Sequence, residues 1–399
     1  MTEDMVTQPP TDLVEADAAV YRFGPAGTRW LEAMWDADPL ADAVVCDDFP
    51  AGSATRAVTT ALASGVDAVH EAPASLHDLF AALDEEPIWV DHAAMDRAAD
   101  ALVQHTATMG IVLAAASLLR GASNTLAGKP LALTGRYVSQ PAVRSVEVGE
   151  WLRRILSPGG MRRDGDGFAY TVRVRIIHAH VRRGLRLAGR WDDAAWGVPI
   201  PQPYMAFTMA EFGHIALEAM ERVGVRFSDQ ELADIYHLWR YVGHVVGVDD
   251  HLNPRTAADH IRIEKLYRLT SPGAGPDDIE FVAALTDDYL IPELAALLPG
   301  SDHVRRATAA ELTRSLQRLF LGEQAADELR IPPSRLTGFL KLARPLLAIS
   351  ERLRLIAAGG RAELVARGYR DRDTEMERMR AAYDVRHQMV DDAPAARSM

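Results

Sequence analysis

Apolar residues recur every three or four positions along most of this chain, which is the spacing of amphipathic helices. The clearest case is the segment Arg144–Leu156, where positions 144, 147, 148, 151, 152 and 155 fall on one helical face. The sequence Ser-Pro-Gly-Gly at 157–160 follows at once and predicts the end of that helix.

Further helices are predicted on either side. Ser228 followed by Glu231 forms a capping box, so we expect a helix to begin there and to run to about Gly247. A long helical region is expected over Trp89–Arg120. The other predicted helices cover Tyr170–Leu187, Ala206–Val223, Thr256–Leu269, Pro276–Leu285, His303–Phe320 and Pro333–Ala348.

These patterns predict an all-α fold. We find no alternating strand pattern of useful length, no fixed repeat and no glycine-rich phosphate loop. Of the 399 residues, 48% are hydrophobic and only 7% aromatic, which favours helices packed on helices. We expect one compact multi-helix domain over residues 21–390, preceded by a disordered, acidic tail at 1–20.

Charge and cysteine content exclude several classes of function. A formal net charge of −13 argues against proteins that bind nucleic acid or anionic membranes. The single cysteine, Cys46, excludes internal disulfides and cysteine-based zinc or iron–sulfur sites. The longest apolar run, Met109–Leu119, is too short to span a bilayer and reads as a buried core helix. The polar N-terminus lacks the apolar run of a secretion signal, so we expect a cytoplasmic protein.

The segment RVRIIHAHVRR, residues 173–183, combines histidines with many arginines. On a helix, Arg175 and Arg182 share the face of His178, which borders an apolar stripe. A neutral imidazole is the usual ligand of haem iron, and arginines commonly pair with carboxylates such as haem propionates. His180 projects to the other side, and spacing alone does not choose between the two histidines. The alternative is that both are core residues and that the arginines pair with some of the 56 acidic residues.

A second group of histidines is a weaker candidate. His237, His244 and His251 lie near Asp249 and Asp250, but their spacing is not that of a non-haem metal site. We interpret them as scattered helix histidines, and the nearby aromatic residues as packing. No G-x-S-x-G motif supports serine hydrolysis.

Four ordered motifs resemble the MpaB/latex-clearing-protein family of haem-b oxygenases. They are the Arg144 helix ending in SPGG, then RIIHAHVR, then WGVPIPQPYMAFTMAEFG, then LWRYVGHVVGV with HLNP, and they cover residues 130–256. The earlier DPLADAVV is also similar to the N-terminal region of this family.

The resemblance implies an all-helical fold with a globin-like core that holds one haem b. It makes His178 the proximal iron ligand, with Arg175, Arg182 and Arg144 as the arginines around the haem. It also implies O2 as co-substrate and cleavage of a C=C bond in a lipophilic, prenyl-like molecule. Where rubber-cleaving members have Lys-Thr, this chain has Glu147-Val148. We therefore expect Glu147, together with Arg144, to be catalytic, with Glu147 moving a proton near the haem; the alternative is that Glu147 pairs with an arginine.

With no secretion signal, we expect a small lipophilic substrate rather than a polymer. Two other functions remain open at this point. One is a haem enzyme of another reaction type, such as a peroxidase-like enzyme, an isomerase or a dehydratase. The other is a haem or lipid carrier without catalysis.

Overall fold

The structure is a computed structural model that describes residues 8–46, 53–135, 138–357 and 359–385. Within these ranges it contains helices joined by turns and loops and no β-strand, so the predicted all-α fold is confirmed. The helices pack into one body.

The N-terminal part is ordered further upstream than the sequence suggested. Residues 8–20 lie within the predicted tail, yet Leu13 and Ala19 are buried, and the Val14 amide donates to the carbonyl of Thr270. The expectation of a disordered tail is therefore wrong for residues 8–20, because sparse apolar side chains there fill gaps in the core. The helices of this part are α1 Ala16–Phe23, α2 Pro25–Glu32, α3 Pro39–Cys46, α4 Ala54–Ser64 and α5 Ala74–Asp84, with single 3₁₀ turns at Ala33–Trp35 and Val66–Ala68.

The region predicted to be helical over Trp89–Arg120 is largely helical, but it is divided into several segments. The chain turns by 86° between two helical segments, at Gln104 and His105. His105 leaves helical geometry, and its Nδ1 lies 2.7 Å from a carboxylate oxygen of Glu351, a contact that the local sequence pattern does not show. The segments are α6 His92–Val103, α7 Thr106–Val112, a π-helical turn Leu113–Ser117, α8 Leu118–Gly121 and, after a turn, α9 Thr125–Leu133.

Two long helices form the middle of the molecule and were predicted well. Helix α10, Pro141–Ile155, ends at the Ser-Pro-Gly-Gly turn, and α11, Asp166–Leu187, carries the arginine-rich segment. Helix α11 packs against α3, α4, α9 and α10, and against α15, defined next. Its side chains are therefore surrounded by other helices over most of its length.

The helices that follow α11 in the chain complete the core, and α15 packs directly against α11. The Ser228–Glu231 capping box begins α15, which ends at Gly247, so both predicted limits are confirmed. The helices of this part are α12 Asp193–Trp196, α13 Gln202–Ala210, a π-helical turn Glu211–Ile215, α14 Ala216–Arg222, α15 Asp229–Val246 and α16 Ala257–Leu269.

The C-terminal part adds a second apolar cluster beside the first. Met109 and Leu113 pack against both clusters, so the two cores are continuous. The helices here are α17 Pro276–Leu285, a π-helical turn Thr286–Leu290, α18 Ile291–Ala296, α19 Asp302–Leu321, α20 Glu323–Glu328, α21 Leu336–Ala357 and α22 Arg361–Ala382.

No single helix among the described residues is both long and apolar enough to cross a membrane. The bent pair His92–Val103 and Thr106–Gly121 meets the criteria of length and composition when taken together. Much of this pair belongs to the core, as the buried residues Ala98, Ala115 and Leu119 show.

Candidate functional site

His178 is a half-buried histidine whose Nδ1 atom has no hydrogen-bond partner among the described residues. It lies in the middle of α11, and its Nδ1 is buried. Burial, together with the positive charges of Arg182 and Arg144, lowers its pKa to about 4, against an opposing effect of Asp38. The imidazole is therefore neutral at physiological pH and keeps a free lone pair, as a metal ligand requires.

Arg175 is held by Asp38, the residue just before α3. Its Nε donates to Asp38 Oδ2 at 2.6 Å and its Nη2 donates to Asp38 Oδ1 at 2.8 Å, and both side chains are buried. A bidentate pair of this kind uses most of the guanidinium fork. Arg175 thus ties α11 to the start of α3, and a role in binding propionate would require this pair to open.

The backbone beside this ion pair leaves no room for a side chain. Gly247, the C-cap of α15, has φ +92°, and a Cβ there would lie 2.5 Å from Asp38 Oδ2 and 2.7 Å from Arg175 Nε. Glycine has no Cβ, so it adopts the left-handed φ without strain and lets both side chains approach the backbone closely. The glycine that ends α15 therefore also makes space for the Asp38–Arg175 pair.

Arg182 is only partly paired. Its Nε donates to Asp42 Oδ1 at 2.7 Å, one turn along α3 from Asp38. Both terminal nitrogens, Nη1 and Nη2, are buried. Nη2 forms an ion pair with the same oxygen at 2.7 Å, and Nη1 has no hydrogen-bond partner within the described part of the chain. Arg182 is 2% exposed. Buried N–H donors without acceptors are costly, so this end of the side chain is suited to an anionic ligand.

Arg144 and Glu147 lie one helical turn apart on α10, and both are partly buried. Arg144 lowers the pKa of His178 on α11 and also that of Glu211 in the π-helical turn after α13. The structure therefore brings Arg144 close to both groups. The catalytic role of Glu147 stays a prediction.

Glu211 is an acidic residue that the sequence analysis missed. It is buried, and burial raises its pKa to about 8 even though the charge of Arg144 opposes the shift. An ideal Cβ on Gly121 would lie 2.9 Å from Glu211 Oε1, so the absence of a side chain at that position leaves room for the carboxyl. A single glutamate inside the apolar run YMAFTMAEFGHIAL was the only available signal.

The residues around His178 fit a haem. A haem site needs one neutral histidine with a free nitrogen, cationic donors for the two propionate carboxylates, and apolar surroundings. His178 supplies the first and Nη1 of Arg182 supplies a donor, while Val174 and Leu185, which share the His178 face of α11, are apolar and at least partly buried.

Three other histidines that the sequence brought forward, His180, His237 and His244, have structural contacts. His180 lies across α11 from His178, and its Nε2 is 3.2 Å from Thr55 Oγ1. His237 accepts a hydrogen bond from the Asp91 amide at 2.9 Å and packs edge-on against Trp89, as His244 also does. Within the described ranges no group of three or more histidine, cysteine or acidic side chains is arranged to hold a metal ion.

Two cavities can be compared with the position of the candidate site. A narrow, largely apolar cleft of about 10 Å³ lies between α6, α7, α10, α14 and α15. It is lined by Leu102, Met109, Leu113, Leu152, Leu156, Phe212, Ala216, Leu217, Met220 and Trp239. A wider groove of about 370 Å³ lies elsewhere, between α2 and the 250–255 loop, with Arg29, His251 and Arg255 on its walls. None of the candidate site residues lines that groove.

Comparison with known proteins places the chain among oxygenases. Residues 103–349 match the family described as ER-bound oxygenase mpaB/B'/Rubber oxygenase, catalytic domain. A rubber oxygenase of Streptomyces sp. (strain K30) is 28% identical over 247 residues, which cover 56% of this chain and 56% of that protein. The match thus spans about half the length of this curated relative.

The fold is also similar to a solved structure. Latex clearing protein LCP in its closed state superposes with a TM-score of 0.62 at 19% sequence identity, over 84% of this chain and 91% of that chain. At this identity the likeness concerns the fold, and it agrees with the predicted all-helical architecture.

Proposed function

Since the chain belongs to the family of mpaB-type and rubber oxygenases, whose catalytic domain matches residues 103–349, we propose that it is a haem-b-dependent oxygenase that uses O2 on a lipophilic, olefinic small molecule. The observation that carries the proposal is His178, a half-buried, neutral histidine whose buried Nδ1 has no partner among the described residues. In this proposal His178 is the proximal iron ligand.

The arginines divide between two tasks. Arg182 would bind a propionate through Nη1, while its Nε and Nη2 stay on Asp42. Arg175 keeps the position of α11 fixed through Asp38, and so sets where His178 points. Arg144 supplies positive charge between His178 and Glu211, which favours the neutral imidazole and would attract a second propionate or a polar group of the substrate.

The haem would supply O2 binding and electron transfer, and side chains of the protein would donate and accept protons. With a pKa of about 8, Glu211 is mainly protonated at neutral pH and can donate a proton from its carboxyl. Arg144 limits the rise in this pKa and keeps it near the working pH, where proton transfer in either direction is efficient. Glu147, one turn from Arg144, remains the second candidate for proton transfer.

The apolar cleft supports a lipophilic substrate. Its ten lining residues, among them Phe212 and Trp239, are hydrophobic. A volume of about 10 Å³ holds one water molecule at most. Substrate entry therefore requires the lining side chains to change rotamer, and the flexible Met109 and Met220 can do so at small cost.

An absorption spectrum of the purified protein with added haemin tests the cofactor. We expect a Soret band that is lost or strongly altered in His178→Ala and is retained in His180→Ala. His180 is the matched control, because it lies on the same helix and bonds to Thr55 instead. A wild-type protein that leaves the spectrum of free haemin unchanged would refute the proposal.

A second function is favoured by the protonated Glu211. A buried acid beside the haem site is also suited to acid–base chemistry without net oxygen incorporation, as in an isomerase or dehydratase. Oxygen uptake with a matching amount of carbonyl product would support the oxygenase. A product with the mass of the substrate, or of the substrate less water, would support the alternative.

A further inference from the structure

Helix α21 exposes a row of large apolar side chains to water. Each member of the row is between 55% and 82% exposed. The row consists of Phe339, Leu342, Leu346, Ile349, Leu353 and Ile356, and we call it the α21 seam. Scattered exposed apolar residues are normal, but a continuous row along one helix usually marks a binding surface.

The opposite face of α21 is apolar as well. Leu340, Leu347 and Leu355 are partly buried on the side of the helix that packs toward α19. Charged residues such as Lys341 and Arg344 lie between the two apolar faces, and an apolar helix face normally packs against a partner. Among the described residues, only the face with Leu340, Leu347 and Leu355 is covered.

The spacing of the α21 seam is that of a coiled coil. Successive members are three, four, three, four and three residues apart, which corresponds to the a and d positions of a heptad. The positions that flank the seam are small or uncharged except for one arginine: Gly338, Ala343, Pro345, Ser350, Arg352 and Ala357. Small residues at these flanking positions let a second helix come close.

We infer that a second copy of this chain covers the α21 seam, with the two α21 helices antiparallel. The seam matches itself in this direction, because Phe339 meets Ile356 of the second copy, Leu342 meets Leu353, and Leu346 meets Ile349. Each a position then faces a d position around a two-fold axis beside residues 347 and 348. The antiparallel arrangement also opposes the two helix dipoles.

Charge and area agree with this arrangement. Arg352 lies near Pro345 of the second copy, so no like charges meet across the seam. The exposed parts of the six side chains amount to roughly 600 Å² per copy, somewhat below the about 800 Å² per partner of a standard interface. The α21 seam would therefore be the apolar centre of a dimer interface, with neighbouring surface as its rim.

Sedimentation of the full chain over a range of concentrations tests the dimer. We expect a dimer that Leu346→Glu weakens at least about a hundredfold, since each dimer would bury two unpaired charges. Leu297→Glu is the matched control, because Leu297 is also an exposed leucine but lies outside the seam. Both variants should keep the wild-type helical circular dichroism.

Three results would overturn the inference. They are a wild-type protein that is monomeric at every concentration, a dimer that Leu346→Glu leaves intact, and a monomer that floats with lipid vesicles in a seam-dependent way. The last result would assign the seam to a membrane surface.

Disulfide cross-linking tests the antiparallel direction. In a Cys46→Ser background, Phe339→Cys and Ile356→Cys proteins mixed together should form a cross-linked heterodimer. Phe339→Cys alone should not cross-link, because the two residues 339 would lie about 25 Å apart along the paired helices. Efficient cross-linking of Phe339→Cys alone would show parallel helices instead.

Discussion

Glu211 is the residue whose ionisation most clearly links stability to the candidate site. Its pKa is raised to about 8 in the folded protein and is near its usual value of 4.5 in the unfolded chain. Between these values the folded state holds a proton that the unfolded state has lost, so this residue makes stability fall as pH rises from 4.5 to 8. Above pH 8 the folded protein carries the full cost of the buried charge.

We predict that Glu211→Gln removes most of this pH dependence. The amide has the shape of the protonated carboxyl but does not ionise, so the variant should gain stability relative to wild type at pH 9 and little at pH 5. The relative gain should be on the order of 4 kcal/mol, from the size of the pKa shift. Urea unfolding of both proteins at the two pH values measures it. Parallel pH profiles would contradict a buried, proton-holding Glu211.

At the same scale, the sequence predicts only those site residues whose neighbours are local. His178 and Arg182 share one helical face, so their spacing was enough to make them candidate haem-binding residues. The pairing of Asp38 with Arg175 spans 137 positions along the chain and could not be derived from periodicity. Glu211 was missed because its raised pKa comes from burial, which depends on the helices packed around it.

At the scale of elements, Gly247 links the end of α15 to the fixed position of α11. We predict that Gly247→Ala costs about 3 kcal/mol or more, from left-handed backbone strain and from displacement of the buried Asp38–Arg175 pair. Gly273→Ala is the control, since Gly273 has a similar φ of +95° and no neighbouring atom within 4 Å of an added Cβ. That variant should lose only about 1 kcal/mol. Equal losses of unfolding free energy in urea would show that the ion pair does not constrain residue 247.

The elements themselves were predictable where local chemistry determines them. The Ser228 capping box and the Ser-Pro-Gly-Gly turn gave the start of α15 and the end of α10, because caps and turns act through adjacent residues. The bend at His105 was not predictable, since Glu351, which lies beside it, belongs to a helix 246 positions later. The order of residues 8–20 was missed for the same reason, because their contacts are with distant helices.

At the scale of the whole molecule, haem binding and folding should be coupled. The residues proposed to hold haem come from α10 and α11 and the proposed proton donor from the turn after α13, while α3 and α15 keep α11 in place. A ligand that binds only when these elements are assembled stabilises the folded state by an amount set by its concentration and dissociation constant. The cytoplasmic location stays a prediction.

We therefore predict that haemin at 100 times its dissociation constant raises the unfolding free energy of the wild-type protein by about 2.7 kcal/mol. Thermal unfolding with and without haemin measures this as a higher Tm. His178→Ala should lose most of the increase, because the iron would no longer have its protein ligand, whereas His180→Ala should keep it. If both variants were stabilised as much as wild type, haemin would be binding through nonspecific apolar contact, and His178 would not be the iron ligand.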